Sequence, residues 1–147
     1  MNFFSLLSVF VVGLSGLVAQ VLLLRELLVS LYGNQLIIGI ILANWVAQEA
    51  LGVFLAGLFI DRAKNKINVF ISLQIIFSLV LFSSIYLSRV FKILLGVPFG
   101  ETIGLYTVFS TTLLILLPVS FCHGALFSTL CQVYSSYYRK TKKRYIG

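Results

Sequence analysis

Apolar residues in this chain come in long uninterrupted runs, and charged ones are confined to the gaps between them. No charged side chain occurs from Met1 to Leu24, and long uncharged stretches recur before residue 61 and after residue 101. A helix needs about 20 apolar residues to cross roughly 30 Å of hydrocarbon. Four segments meet that length: about 3–24, continuing as helix towards Leu31, then 35–60, 67–87 and 103–130, the last long enough to tilt. The pattern predicts an all-α, polytopic integral membrane protein with four transmembrane helices. Residues 1–138 form the membrane domain, and 139–147 a basic tail.

The predicted connections are short. Tyr32-Gly33-Asn34 turns the chain after the first helix, with Gly33 and Asn34 suited to left-handed backbone angles. Residues 61–66 join the second helix to the third. Residues 89–101 form the longest link, interrupted by Gly96, Pro98 and Gly100. A cleaved signal peptide fits the first segment poorly. It lacks a basic start, its apolar run is too long, and Arg25-Glu26 stands where a cleavage site belongs.

Composition agrees with this pattern. Of 147 residues, 60% are hydrophobic and 10% charged, with a mean hydropathy of +1.07. Soluble domains carry about a quarter charged residues, and disordered chains are poor in aromatic and branched aliphatic residues, so both classes are excluded. The net charge of +7 is topogenic here and does not point to nucleic acid. Eight Lys and Arg residues fall on the side of the N-terminus, the 61–66 loop and the tail, against three (Arg25, Arg89 and Lys92) on the other. Both termini are therefore expected in the cytoplasm, with the chain lying in the cell inner (plasma) membrane. Cys122 and Cys131, nine residues apart in one helix, fall on opposite faces and are not expected to form a disulfide.

Polar residues inside apolar helices are costly unless partnered or wet, so their positions are informative. The first helix carries Gln20, then Arg25 and Glu26 near its end; the second carries Asn44, Gln48 and Glu49; the fourth carries His123, near Ser120, Ser128 and Thr129. Asn44 and Gln48 share a face, and Glu49 points about 100° away from it. Glu49 precedes Ile60 by 11 residues, which puts it roughly 16 Å along the helix, near the middle of a bilayer. Two readings of this group stand: a polar cavity for a proton, an ion or a small cationic ligand, or an interhelical hydrogen-bond cluster that fixes packing. Arg25 is the nearest cation in sequence but lies towards the helix end. Arg25 and Glu26 read as an interfacial anchoring pair or as a gating contact. His123 titrates near neutrality in the ordinary case and is a candidate member of the site, or a packed core histidine. Pro118 should kink the fourth helix, with Ser120 or a neighbouring helix compensating. Gly13 and Gly16 in the first helix, and Gly52, Ala56 and Gly57 in the second, predict close helix contacts within the chain or between copies.

No phosphate-binding glycine loop, zinc-protease motif or nucleophile elbow is present, and no cofactor or metal is expected. The chain reads as non-catalytic.

Two stretches resemble known families. The segment from Gly57 through Asp61, Arg62, Lys64 and Lys66 resembles the G-x-x-x-D-R-x-x-x-[RK] loop of major-facilitator transporters, where the Asp and Arg lock helix packing on the cytoplasmic side. The run from Gly13 through Gly16, Gln20, Arg25, Glu26, Gly33 and Asn34 resembles the opening of the membrane domain of bacterial spermidine-synthase-like proteins. The Ala50-Leu51-Gly52 to Asp61-Arg62 segment, the Leu117-Pro118 and Gly124-Ala125-Leu126-Phe127 segments, and Tyr145-Ile146-Gly147 fit further parts of that pattern. Gln20 stands where a Glu is usual, and Ser128 replaces a proline. The resemblance implies a facilitator-like membrane module that anchors or partners an aminopropyltransferase-like domain and passes a small polyamine-like solute. The chain then corresponds to the first part of such a protein, whether a truncated reading frame, a split gene or a separate subunit. Its partners would be the lipid bilayer, further membrane helices, the soluble domain, or a second copy. Half of a dimeric facilitator-like transporter and a structural subunit of a membrane complex are the other expectations.

Overall fold

In an apolar environment a backbone N–H or C=O has no partner except another backbone group, so long apolar runs satisfy themselves as helices. A computed structural model of the protein describes the backbone of residues 3–60, 65–94 and 104–146, and the side chains of 6–60, 65–91 and 104–136. It contains four helices: α1 (Phe3–Leu31), α2 (Gln35–Ile60), α3 (Lys66–Leu94) and α4 (Leu105–Ile146). All four are long and apolar enough to cross a membrane. The bounds of α2 coincide with the expected ones. Helix α3 runs past Leu87 to Leu94, and α4 runs past Leu130 through the basic segment to Ile146. Counting apolar residues finds only the part of a helix that hydrocarbon can cover. Helical hydrogen bonding continues until a breaker stops it, and none lies between Leu130 and Ile146. Pro118 lies inside the continuous α4 helix.

The turn after α1 differs from expectation in one detail. Its left-handed residue is Tyr32 (φ 49°), and the Gly33 N–H returns to the Leu28 carbonyl at 2.9 Å. This is a Schellman ending, in which the left-handed position falls one residue before the glycine. A Cβ on Gly33 would meet the tip of the Leu28 side chain, which would have to turn aside, and would lie 3.2 Å from the Leu28 Cα. Asn34 caps α2, its Oδ1 accepting from the Ile37 N–H at 3.1 Å.

Helix α4 lies at the centre and packs most extensively on α2, then on α3, while α1 touches all three of the others. The order of contacts gives directions. Asn44, Gln48 and Glu49 meet Thr112, Ser120 and His123 in turn, so α2 and α4 run parallel. Lys66 meets Gln132 while Phe77 meets His123, so α3 and α4 are antiparallel. Leu23, Leu27, Ile41, Ile115, Leu116 and Leu126 fill the interior. Phe10, Val29, Phe54, Phe82 and Tyr106 point outwards and are more than 60% exposed. A helical bundle with so much apolar surface is compatible with a multi-pass membrane protein.

Glycine sets the α2–α4 distance. A Cβ on Gly52 would overlap the Phe121 carbonyl, and one on Gly124 would overlap the Glu49 carbonyl, so the two backbones touch. Gly57 is looser, with only Ser128 Oγ near its Cβ position at 3.6 Å, and Ala56 is buried beside it. Gly16 is covered by His123, whereas Gly13 faces open space. Within the chain, then, Gly16 lies at a close contact and Gly13 does not. Spaced three apart, they lie about 60° from each other around the helix, and the packed face passes through Val12, Gly16 and Ala19.

Candidate functional site

The α2 face bearing Asn44 and Gln48 lies directly on α4. Asn44 Nδ2 donates to Thr112 Oγ1 at 2.8 Å and to the Phe109 carbonyl at 3.3 Å. Gln48 spans Pro118: its Nε2 donates to the Leu113 carbonyl at 2.8 Å, and its Oε1 accepts from Ser120 Oγ at 2.7 Å. Ser120 also bonds the Leu116 carbonyl of its own helix at 2.8 Å. These bonds staple α2 to α4 on both sides of the proline. Both amides are buried and satisfied, which makes them packing elements.

Glu49 points round the helix to a different partner. Its Oε1 lies 2.6 Å from His123 Nδ1, and its Oε2 accepts from Trp45 Nε1 at 2.9 Å. Trp45 is one turn back on the same helix, so the indole and the carboxylate pair locally. The His123 ring is held on every side. Its Nε2 faces the Val12 carbonyl of α1 at 3.3 Å, Gly16 leaves the space in which the ring sits, and Phe77 of α3 lies 5.7 Å away between ring centroids. Trp45 completes the enclosure at 6.4 Å. One imidazole thus touches all four helices, about midway along them. Its side chain is 10% exposed and that of Glu49 is 28% exposed, so Glu49 is the less enclosed member of the pair.

The partners of Glu49 are His123 and Trp45, not Arg25, and Glu26 forms a link between helices. Arg89 of α3 grips Glu26 of α1 in a two-pronged contact, Nε to Oε2 at 2.9 Å and Nη2 to Oε1 at 2.8 Å. Ser30 Oγ donates to the Ser88 carbonyl at 2.9 Å nearby. Adjacent residues on a helix point about 100° apart, which is why Glu26 reaches α3 while Arg25 stays exposed. Gln20 is half-buried on α1, outside the His123–Glu49 centre. Asp61 and Arg62 lie outside the described residues. Cys122 is half-buried and Cys131 exposed, and both are free thiols. Among the described residues no three His, Cys, Asp or Glu side chains come together as a metal site.

Sequence reasoning singled out Glu49 and His123 separately and missed that they meet. It passed over Trp45, Thr112 and Arg89 as partners, and it noted Gly124 only within a motif. The available signal was the cost of isolation: one acid and the chain's one histidine, both in the middle of apolar helices, each needing a partner.

No protein-family model, curated protein or solved structure matches the chain.

Proposed function

We propose that the chain is a non-catalytic multi-pass membrane module whose Glu49 carboxylate handles a small cation in the middle of the bilayer. The observation that carries this reading is the Glu49–His123–Trp45 cluster: an acid midway along an apolar helix long enough to cross a membrane, each of its oxygens hydrogen-bonded and its side chain still 28% exposed. Hydrocarbon penalises ionisable groups at such depth, and those that occur there mark ion or proton paths. The excess of Lys and Arg beside the 61–66 loop and the tail supports both termini in the cytoplasm. The resemblance to the membrane domain of spermidine-synthase-like proteins supports a module that anchors or partners an aminopropyltransferase-like domain, and it suggests a polyamine as the cation.

The test is reconstitution in proteoliposomes with labelled spermidine as the probe. Uptake above that of empty vesicles, lost in Glu49→Gln while the helical content is kept, is the expected result. Uptake that is equal in both proteins would remove Glu49 from the role.

A further inference from the structure

Hydrogen-bond chemistry specifies how many protons the Glu49–His123 pair holds. The Val12 carbonyl oxygen can only accept, so the ring nitrogen facing it, Nε2, must carry a hydrogen. At 2.6 Å the contact between Nδ1 and Glu49 Oε1 requires a hydrogen as well, since a bare ring nitrogen and a carboxylate oxygen would present lone pairs to each other. That hydrogen sits on Nδ1, giving imidazolium beside carboxylate, or on Oε1, giving neutral imidazole beside carboxylic acid. Both arrangements sum to zero charge. The enclosure adds no competing ionisable group among the described residues. Helix α1 presents the Val12 carbonyl and Gly16, α3 presents Phe77, α2 presents Glu49 and Trp45, and the nearest titratable neighbour on α4 is the half-buried Cys122.

We propose that Glu49 and His123 form a proton-binding site that holds one shared proton between Oε1 and Nδ1, as a neutral unit, and releases that proton to water when a cation takes its place. This rests on the reading of Glu49 as a cation site and names the proton as its resident occupant. For a monovalent cation, or for a single ammonium group of a polyamine, the exchange is balanced: one hydrogen ion leaves and one positive charge enters, so the centre stays neutral. Loss of the proton without replacement puts a carboxylate against an imidazole lone pair at 2.6 Å, and the pair must then part.

The chain contains one histidine, so ¹⁵N-histidine labelling of the full protein in lipid nanodiscs gives an unambiguous NMR reporter. Across a pH series, Nε2 should keep a protonated signature throughout, while Nδ1 and the ¹³C-labelled Glu49 carboxyl change together in a single step. In Glu49→Gln the Nδ1 signal should become that of a bare ring nitrogen. Glu49→Asp, whose carboxylate is pulled back by one methylene, should split the single step into two, and it serves if the Gln variant does not fold. An unprotonated Nε2 beside a protonated Nδ1 in the native protein would overturn the proton count. Independent titration of ring and carboxyl, or a ring signal indifferent to Glu49→Gln, would overturn the sharing. None of these readouts involves solute uptake, so absence of spermidine transport in the vesicle assay would count against the transport reading alone.

Discussion

Replacing Gly124 by alanine puts a methyl group where the Glu49 carbonyl oxygen lies, with the Val53 nitrogen 2.9 Å away. The obstruction is backbone on both sides, so no rotamer change relieves it. Carbon atoms pack at about 3.5 Å or more, and α4 must therefore withdraw from α2 by about 1 Å. A gap of that size forfeits about a quarter to a half of the dispersion energy of the atoms it separates. It also stretches the Ser120–Gln48 bond from 2.7 Å and the His123–Glu49 bond from 2.6 Å. Overpacking of this kind costs about 1–3 kcal/mol and each weakened interhelical hydrogen bond about 0.6 kcal/mol, so the expected destabilisation is about 2–4 kcal/mol. Gly39→Ala and Gly13→Ala are the controls, since a Cβ at either position meets nothing within 4 Å. They should lie within about 0.5 kcal/mol of the native protein. The assay is reversible unfolding in mixed micelles followed by the fluorescence of Trp45, the only tryptophan, which contacts Glu49 directly. Equal unfolding midpoints for Gly124→Ala and Gly39→Ala would refute the backbone contact between α2 and α4.

Further outcomes follow from other contacts. Neutralising either member of the Glu26–Arg89 pair should broaden the distance distribution between spin labels at the adjacent ends of α1 and α3, and exchanging the two residues should restore it. High salt should broaden the native distribution in the same direction, because the pair is exposed and screened. Gln48→Leu removes the bonds to Ser120 and Leu113 and should lower stability by about 1 kcal/mol in the same micelle assay, more than Gln35→Leu at the exposed start of α2. A lipid-soluble maleimide should label the exposed Cys131 well before the half-buried Cys122, as read by mass spectrometry.

The helices were legible in the sequence because hydrocarbon imposes a length that water does not. Their ends were legible only where a breaker or cap stands, as at Gly33-Asn34, and α4 outran its apolar run because nothing after Leu130 stops it. The polar site was half legible. Asn44, Gln48 and Glu49 stand out on α2 because each is expensive there, and their spacing separates Glu49 from the other two. Which helix would satisfy them was not legible. Glu49 and His123 are 74 residues apart, and Glu26 and Arg89 are 63 apart, and pairing at such separations depends on how four similar apolar helices pack. Small residues raise the same ambiguity: Gly13 and Gly16 look alike in the sequence, yet only Gly16 lies on the packed face.

The parallel pairing of α2 with α4 bears on how the protein is made. Asn44, Gln48 and Glu49 find their interhelical partners 65 to 74 residues further along the chain. At about 5–20 residues per second, synthesis reaches those partners roughly 3–15 s after α2 has emerged. During that interval α2 carries two amides and a carboxyl with no protein group from α4 to receive them. Helix α2 is therefore made well before the groups that satisfy it, and its polar face is complete only once α4 is in place.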